Sequence, residues 1–104
     1  MLLIVKLKIN EIDIEWIGNP ERAHEVKDGE KMPLNGHYEY YYDNNTLQSK
    51  GSWINGMKSG AWQYFNENGT ISQRGFYVND KRYPDLNGWE YYDANGEKVF
   101  GFRR

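Results

Sequence analysis

The chain has no cysteine among its 104 residues, which excludes a disulfide framework and thiol chemistry together. That composition fits a reducing cytoplasm, the expected location, although secreted bacterial proteins also do without cysteine. No apolar run approaches the roughly 20 residues that a membrane-spanning helix needs. The opening stretch Met1 to Ile9 is too short for a signal peptide, carries Lys6 and Lys8 late and lacks a small-residue cleavage site, so no leader is expected. Neither sign of charge dominates. Thirteen basic residues against 15 acidic ones leave a net charge of −2, too little for a long-range field favouring nucleic acid or an anionic membrane. Apolar residues are scarce at 38%, yet aromatics reach 16%, and all of them but Trp16 fall between residues 36 and 102. A few large rings therefore have to supply most of a modest, single-domain core.

What is present is a repeat. Gly36 to Leu47 and Gly60 to Ile71 agree column by column at an offset of 24, and Lys50 to Gly56 matches Arg74 to Asp80 at the same offset. A third copy, Trp89 to Gly96, follows Trp62 at an offset of 27, which puts a three-residue insertion in the loop before it. Self-similarity at a fixed period marks a repeat architecture. Each copy reads as a β-hairpin, with strand-like alternation around Asn68-Gly69, Asn95-Gly96 and, in the first copy, Asn44-Asn45. Asn-Gly favours a two-residue type I′ turn, because both turn positions need positive φ.

Counting outward from such turns sets Tyr38 opposite Gly51, Trp62 opposite Gly75, Glu39 opposite Lys50 and Gln63 opposite Arg74. In the third copy the count sets Trp89 against Phe102 and Tyr91 against Phe100. A large ring laid over a glycine shields bare backbone, so the first two pairs are expected to be ring-on-glycine contacts. Side chains alternate across a sheet. Tyr38, Tyr40, Leu47, Trp53, Trp62, Tyr64, Ile71, Tyr77, Trp89, Tyr91, Phe100 and Phe102 are expected on a core face; Glu39, Tyr41, Lys50, Gln63, Phe65, Arg74, Glu90 and Tyr92 fall on the other. The expected fold class is all-β: a curved antiparallel meander of successive β-hairpin repeats. Residues 1–35 supply N-terminal strands with a degenerate repeat, and 36–102 supply three hairpin repeats.

In the N-terminal part Leu3, Val5, Leu7 and Ile9 share one strand phase and Ile12, Ile14 and Trp16 the opposite one, which a turn or bulge near Asn10-Glu11 reconciles. Two readings of 18–29 stand. Asn19, Pro20 and Gly29 are placed as the caps of a short helix. Alternatively, Val26 to Gly36 resembles Val78 to Gly88, which makes Ile12 to Ile17 and Arg22 to Lys27 a worn hairpin around Gly18 to Glu21. The hairpin is favoured, because it accounts for both flanks.

No catalytic constellation is legible in the sequence. Gly56-Met57-Lys58-Ser59-Gly60 lacks both the glycine directly before the lysine and the following helix of a phosphate-binding loop. His24 and His37 lack metal-site spacing, and no serine sits in an elbow-like turn. Glu39 and Glu90 occupy matching positions, but four strand spacings, roughly 19 Å, would part them, whereas the paired acids of glycoside hydrolysis stand within about 10 Å. No enzyme activity, cofactor or metal is expected.

The pattern of Gly, any residue, Trp or Tyr, any residue, Tyr and an aromatic before an Asx/Glu-rich turn, in Gly60 to Gly69 and again in Trp89 to Gly96, resembles the bacterial variant of the MORN repeat. The resemblance covers about two thirds of the chain. It departs at Asn45, which stands for the turn glycine, at Asp80, which stands for a connection glycine, and in the third copy, which begins without the spacer residue. It implies a curved sheet of hairpins and, in many bacterial relatives, an antitoxin or immunity protein; it carries no catalytic residue. The residues alone point to a recognition surface. Tyr41, Phe65 and Tyr92 recur as an aromatic stripe on the second face, and Glu39, Glu90, Asp43, Glu67 and Asp93 give it an acidic rim. Glu39, Tyr41, Phe65, Glu90 and Tyr92 are the candidate contacts, for a protein partner such as a basic, nuclease-like toxin. A carbohydrate-binding module stacking sugars on these rings and a self-assembling scaffold are the alternatives.

Overall fold

A computed structural model of the chain describes residues 4–8, 13–84 and 88–99, which form strands and turns without an α-helix. The strands are β1 (Ile4–Lys8), β2 (Ile14–Ile17), β3 (Arg22–Lys27), β4 (Glu30–Pro33), β5 (Gly36–Tyr41), β6 (Leu47–Ile54), β7 (Met57–Phe65), β8 (Ile71–Val78), β9 (Lys81–Tyr83), β10 (Glu90–Tyr92) and β11 (Lys98–Val99). Eight of them form an open sheet in the order β1-β5-β6-β7-β8-β10-β11, with β9 also on β8; β2-β3-β4 form a second sheet. The all-β meander of hairpins is therefore present, and residues 14–27 form the worn hairpin rather than a helix.

Two features depart from a single antiparallel meander. β1 pairs with β5 in parallel, Val5 beside Tyr38 and Leu7 beside Tyr40, and so takes the edge on which an earlier hairpin would have continued the array. The worn hairpin instead joins β4 in its own sheet. A ring of three backbone hydrogen bonds ties that sheet to the main one: Ala23 N to Gly56 O at 2.8 Å, Gly56 N to Leu34 O at 2.8 Å and Leu34 N to Ala23 O at 3.0 Å. Gly56 is required there twice over, since its φ is +79° and a Cβ would stand 2.7 Å from Arg22 Cβ.

The turns are distributed otherwise than the Asn-Gly pairs suggest. At Asn44-Asn45, Asn68-Gly69 and Asn95-Gly96 only the second residue has positive φ, and the loops hold three residues each, closed by Tyr42 N to Thr46 O, Asn66 N to Thr70 O and Asp93 N to Glu97 O. This is a type I turn followed by a left-handed residue. Adjacent residues that both have positive φ, as a type I′ turn needs, occur instead at Asp28-Gly29 in the smaller sheet and at Asn55-Gly56 and Asn79-Asp80, at the other ends of the main-sheet strands. The longer loops shift the pairing near their ends. Leu47 faces Tyr41 and Ile71 faces Phe65, so both leave the expected core face, and a bulge restores Tyr38 to Gly51 and Trp62 to Gly75 further in. In the third hairpin Tyr91 faces Val99 rather than Phe100; Phe100 and Phe102 lie outside the described residues.

The core is one continuous packing of rings. Tyr38, Tyr40, Trp53, Trp62, Tyr77 and Trp89 are buried with Ala23 and Leu34, and Leu7, Ile14, Tyr64 and Tyr91 pack around them. Trp53 to Trp62, Trp62 to Tyr77 and Tyr77 to Trp89 meet edge to face at 5.6, 6.0 and 4.9 Å between centroids, geometries that aromatic quadrupoles favour. The ring-on-glycine contacts exist, but one strand away from the expected place. Trp62 leans back over Gly51 and Trp89 over Gly75, so each hairpin caps the glycine of the hairpin before it. The backbone allows this because Gly51 faces three residues of β7, Gly60 to Trp62, between the pairs Ser52–Ser59 and Lys50–Gln63. The indole nitrogens then reach Ser52 O at 2.9 Å and Phe76 O at 3.1 Å.

Candidate functional site

The second face of the main sheet carries its side chains in rows, because register places equivalent residues side by side. The central row crosses six strands: Lys6 beside Glu39, Glu39 beside Lys50, Lys50 beside Gln63, Gln63 beside Arg74 and Arg74 beside Glu90. Three cations and two carboxylates thus alternate around one amide. Toward the three-residue loops runs a row of Tyr41 with Leu47, Phe65 with Ile71 and Tyr92 with Lys98. On its other side His37 faces Ser52, while Phe76 stands between Ala61 and Tyr83.

The five candidate residues therefore share one face, and four of them are bonded in pairs. Tyr41 donates its hydroxyl to Glu39 Oε1 at 2.6 Å, and Tyr92 donates to Glu90 Oε1 at 2.9 Å. Where the middle copy has Gln63 in place of glutamate, it has Phe65 in place of tyrosine, so the hydroxyl is present where a carboxylate needs it and absent where none does. The aromatic stripe thus has a structural task as well as an exposed edge. Bonding to Glu39 raises the pKa of the Tyr41 hydroxyl.

The two glutamates differ in their commitments. Arg74 Nε lies 2.6 Å from Glu90, Lys98 Nζ lies 3.4 Å from it, and these bonds with that from Tyr92 hold its carboxyl down at about 2. Arg74 is raised in turn by its bond to Glu90. The expected register of Glu39 with Lys50 holds, yet Lys50 makes no ion pair or hydrogen bond among the described residues. Asp43, Glu67 and Asp93 sit at the hairpin loops; Asp93 is occupied with the backbone N–H groups of Asn95 and Glu97. The acidic rim thus consists of loop-end carboxylates, while the centre of the face has a surplus of positive charge.

Two depressions open on this face. One, of about 360 Å³, is lined by Ile4, His37, Glu39, Lys50, Ser52 and their neighbours; the other, of about 340 Å³, by Arg74, Gly75, Phe76, Gly88, Glu90 and theirs. Ala61 and Gln63 line both, so the two are neighbours across a shared wall. They are also repeat equivalents. Glu39, Lys50 and Ser52 in the first correspond at an offset of 24 to Gln63, Arg74 and Phe76 in the second.

On the core face the structure reveals functional-looking residues that sequence reasoning missed. The Lys58 ammonium stands 5.1 to 5.7 Å from the rings of Trp53, Trp62, Tyr64 and Tyr77, and the Arg82 guanidinium 4.0 Å from that of Trp89. Both are cation–π contacts. The signal was available, since the two are 24 residues apart and each is the second residue after a turn ending in Gly56 or Asp80. Lys58 Nζ also reaches the Tyr64 hydroxyl at 3.2 Å, which lies 3.0 Å from that of Tyr77. Burial first, then the bond to Tyr77, raises the Tyr64 pKa strongly.

The 56–60 segment is a turn and a strand, with no helix to hold a phosphate. Among the described residues no group of three histidine or acidic side chains is placed to hold a metal ion, and no helix is long and apolar enough to cross a membrane. Glu39 and Glu90 stand on β5 and β10, four strands apart in the sheet order. No family model, curated protein or solved structure matches the chain.

Proposed function

We propose that the chain is a non-catalytic protein-binding module whose second sheet face meets a partner protein, and that it serves as an immunity protein or antitoxin by covering a toxin. The observation that carries the binding reading is the row of alternating charges from Lys6 to Glu90, fixed in register across six strands and lined by aromatic and apolar rows. Interlocked repeats make that face a rigid template, and a pre-ordered surface loses little entropy when it binds. Phe76 and Tyr83 offer exposed apolar area beside the row, of the kind that fills partner pockets. The immunity role rests on the resemblance to bacterial MORN-variant repeats and on the fact that occlusion needs affinity and shape alone.

The test is recovery of the tagged chain from its native host, followed by mass spectrometry and by expression of the recovered protein. A stoichiometric partner that arrests growth alone and not with this chain is the expected result. Recovery of no stoichiometric partner contradicts the binding reading. A partner that is harmless when expressed alone contradicts the immunity role.

A further inference from the structure

From the two depressions on the second face we infer that the partner presents a carboxylate side chain to Lys50, on an extended segment that crosses the strands and sets an apolar residue against Phe76. This rests on the binding reading above and reverses the polarity that the carboxylates of the sequence suggest. The acids of the face are already committed. Glu90 is held by Arg74, Tyr92 and Lys98, and Glu39 accepts the Tyr41 hydroxyl between Lys6 and Lys50. In the central row two cations, Lys6 and Lys50, flank the one carboxylate of Glu39, a balance of +1 over those three residues on a chain whose net charge is −2, and of the three Glu39 and Lys50 line the first depression. Lys50 is exposed and has no ion pair or hydrogen bond among the described residues, so a partner carboxylate meets an ammonium that no contact of this chain already holds.

The second depression differs chemically from the first, although it is built from equivalent positions. Its cation is neutralised by Glu90, and where Ser52 stands in the first it carries Phe76, 58% exposed, between Ala61 and Tyr83 in register. An acidic group suits the first and an apolar one the second. Lys50 is in register with Arg74 two strands away, and Phe76 is two residues further along that strand, so Lys50 and Phe76 stand two strand spacings apart across the sheet and roughly 7 Å apart along it, about 12 Å in all. An extended segment returns its side chains to one side at every second residue, and four residues of it span about 13 Å. The geometry therefore fits an acidic residue and an apolar one four positions apart on a partner segment that crosses the strands obliquely over the shared Ala61–Gln63 wall.

The experiment is zero-length carbodiimide cross-linking of the complex isolated from the native host, with the peptides mapped by mass spectrometry and the affinities of variants measured against the isolated partner. The expected result is an amide between Lys50 Nζ and a partner Asp or Glu. Lys50→Glu should weaken binding at least tenfold, Lys50→Arg should stay within threefold, and Phe76→Ser should weaken it severalfold. Lys27→Glu, an exposed charge on the smaller sheet, should leave it unchanged. Binding that persists in Lys50→Glu, or cross-links that join partner lysines to Glu39 or Glu90 instead, overturns the inference and leaves the binding reading standing. Absence of any stoichiometric partner removes both.

Discussion

Gly51→Ala should destabilise this protein, although the same change in a strand at ordinary φ usually stabilises by about 0.4–1 kcal/mol through the unfolded chain. A Cβ at position 51 would lie 2.1, 2.2 and 2.5 Å from three atoms of the Trp62 ring. The ring cannot yield cheaply. It is 2% exposed, is stacked on Tyr64 and edged by Trp53 and Tyr77, and is tethered through its nitrogen to Ser52 O. Overpacking of this kind costs about 1–3 kcal/mol, and loss of the indole hydrogen bond about 1 more, so the expected loss is about 2–4 kcal/mol. Against a total of about 5–15 kcal/mol that is readily visible in urea unfolding followed by tryptophan fluorescence. A double-mutant cycle isolates the cause. In a Trp62→Leu background no planar ring crosses the glycine, and Gly51→Ala should return to its ordinary small effect. A Gly51→Ala protein of wild-type stability, or an equal loss with and without Trp62, would refute the ring-on-glycine account.

Three further outcomes follow from the same geometry. Tyr40→Phe strips the buried Trp53 Nε1 of its acceptor at 3.1 Å and should cost about 1–3 kcal/mol by denaturant titration; in the wild type the Tyr40 hydroxyl, pushed up by burial, should ionise only at about 12 in ultraviolet titration. Lys58→Met keeps the aliphatic stem and removes the ammonium from four rings, for an expected loss of about 1–2 kcal/mol, and an unchanged midpoint would show that packing alone fills this place. Glu90, depressed from 4.5 to about 2, contributes stability that is complete above its ordinary value and is lost as pH falls toward 2. Carboxyl NMR should find that midpoint, and Tyr92→Phe should raise it.

Much of the fold was legible because a repeat states the same pairing several times. The offsets of 24 and 27 located the hairpins, and Tyr38 with Gly51 and Trp62 with Gly75 are true neighbours in register. The direction in which a ring leans was not legible, since it depends on the three residues of β7 that bulge opposite Gly51. Turn type misled for a related reason. Asn-Gly marks a turn wherever it occurs, but loop length decides whether both residues or only one adopts positive φ, and that moved Leu47 and Ile71 to the other face. The parallel docking of β1 was hidden because its alternation suits either strand direction. At the candidate site, sequence placed the five residues on one face correctly, whereas commitment of the carboxylates to Tyr41, Tyr92, Arg74 and Lys98 emerges only when distances are known.

The central claim, that the charged second face is the part of the molecule that meets a partner, is tested most directly by amide hydrogen exchange of the chain with and without the protein recovered from its host. Slowed exchange confined to β1, β5 through β8 and β10, together with unchanged exchange in β2, β3 and β4, is the result expected. Protection centred on the smaller sheet, with the strands that carry Glu39, Lys50, Gln63, Arg74 and Glu90 unaffected, would contradict it.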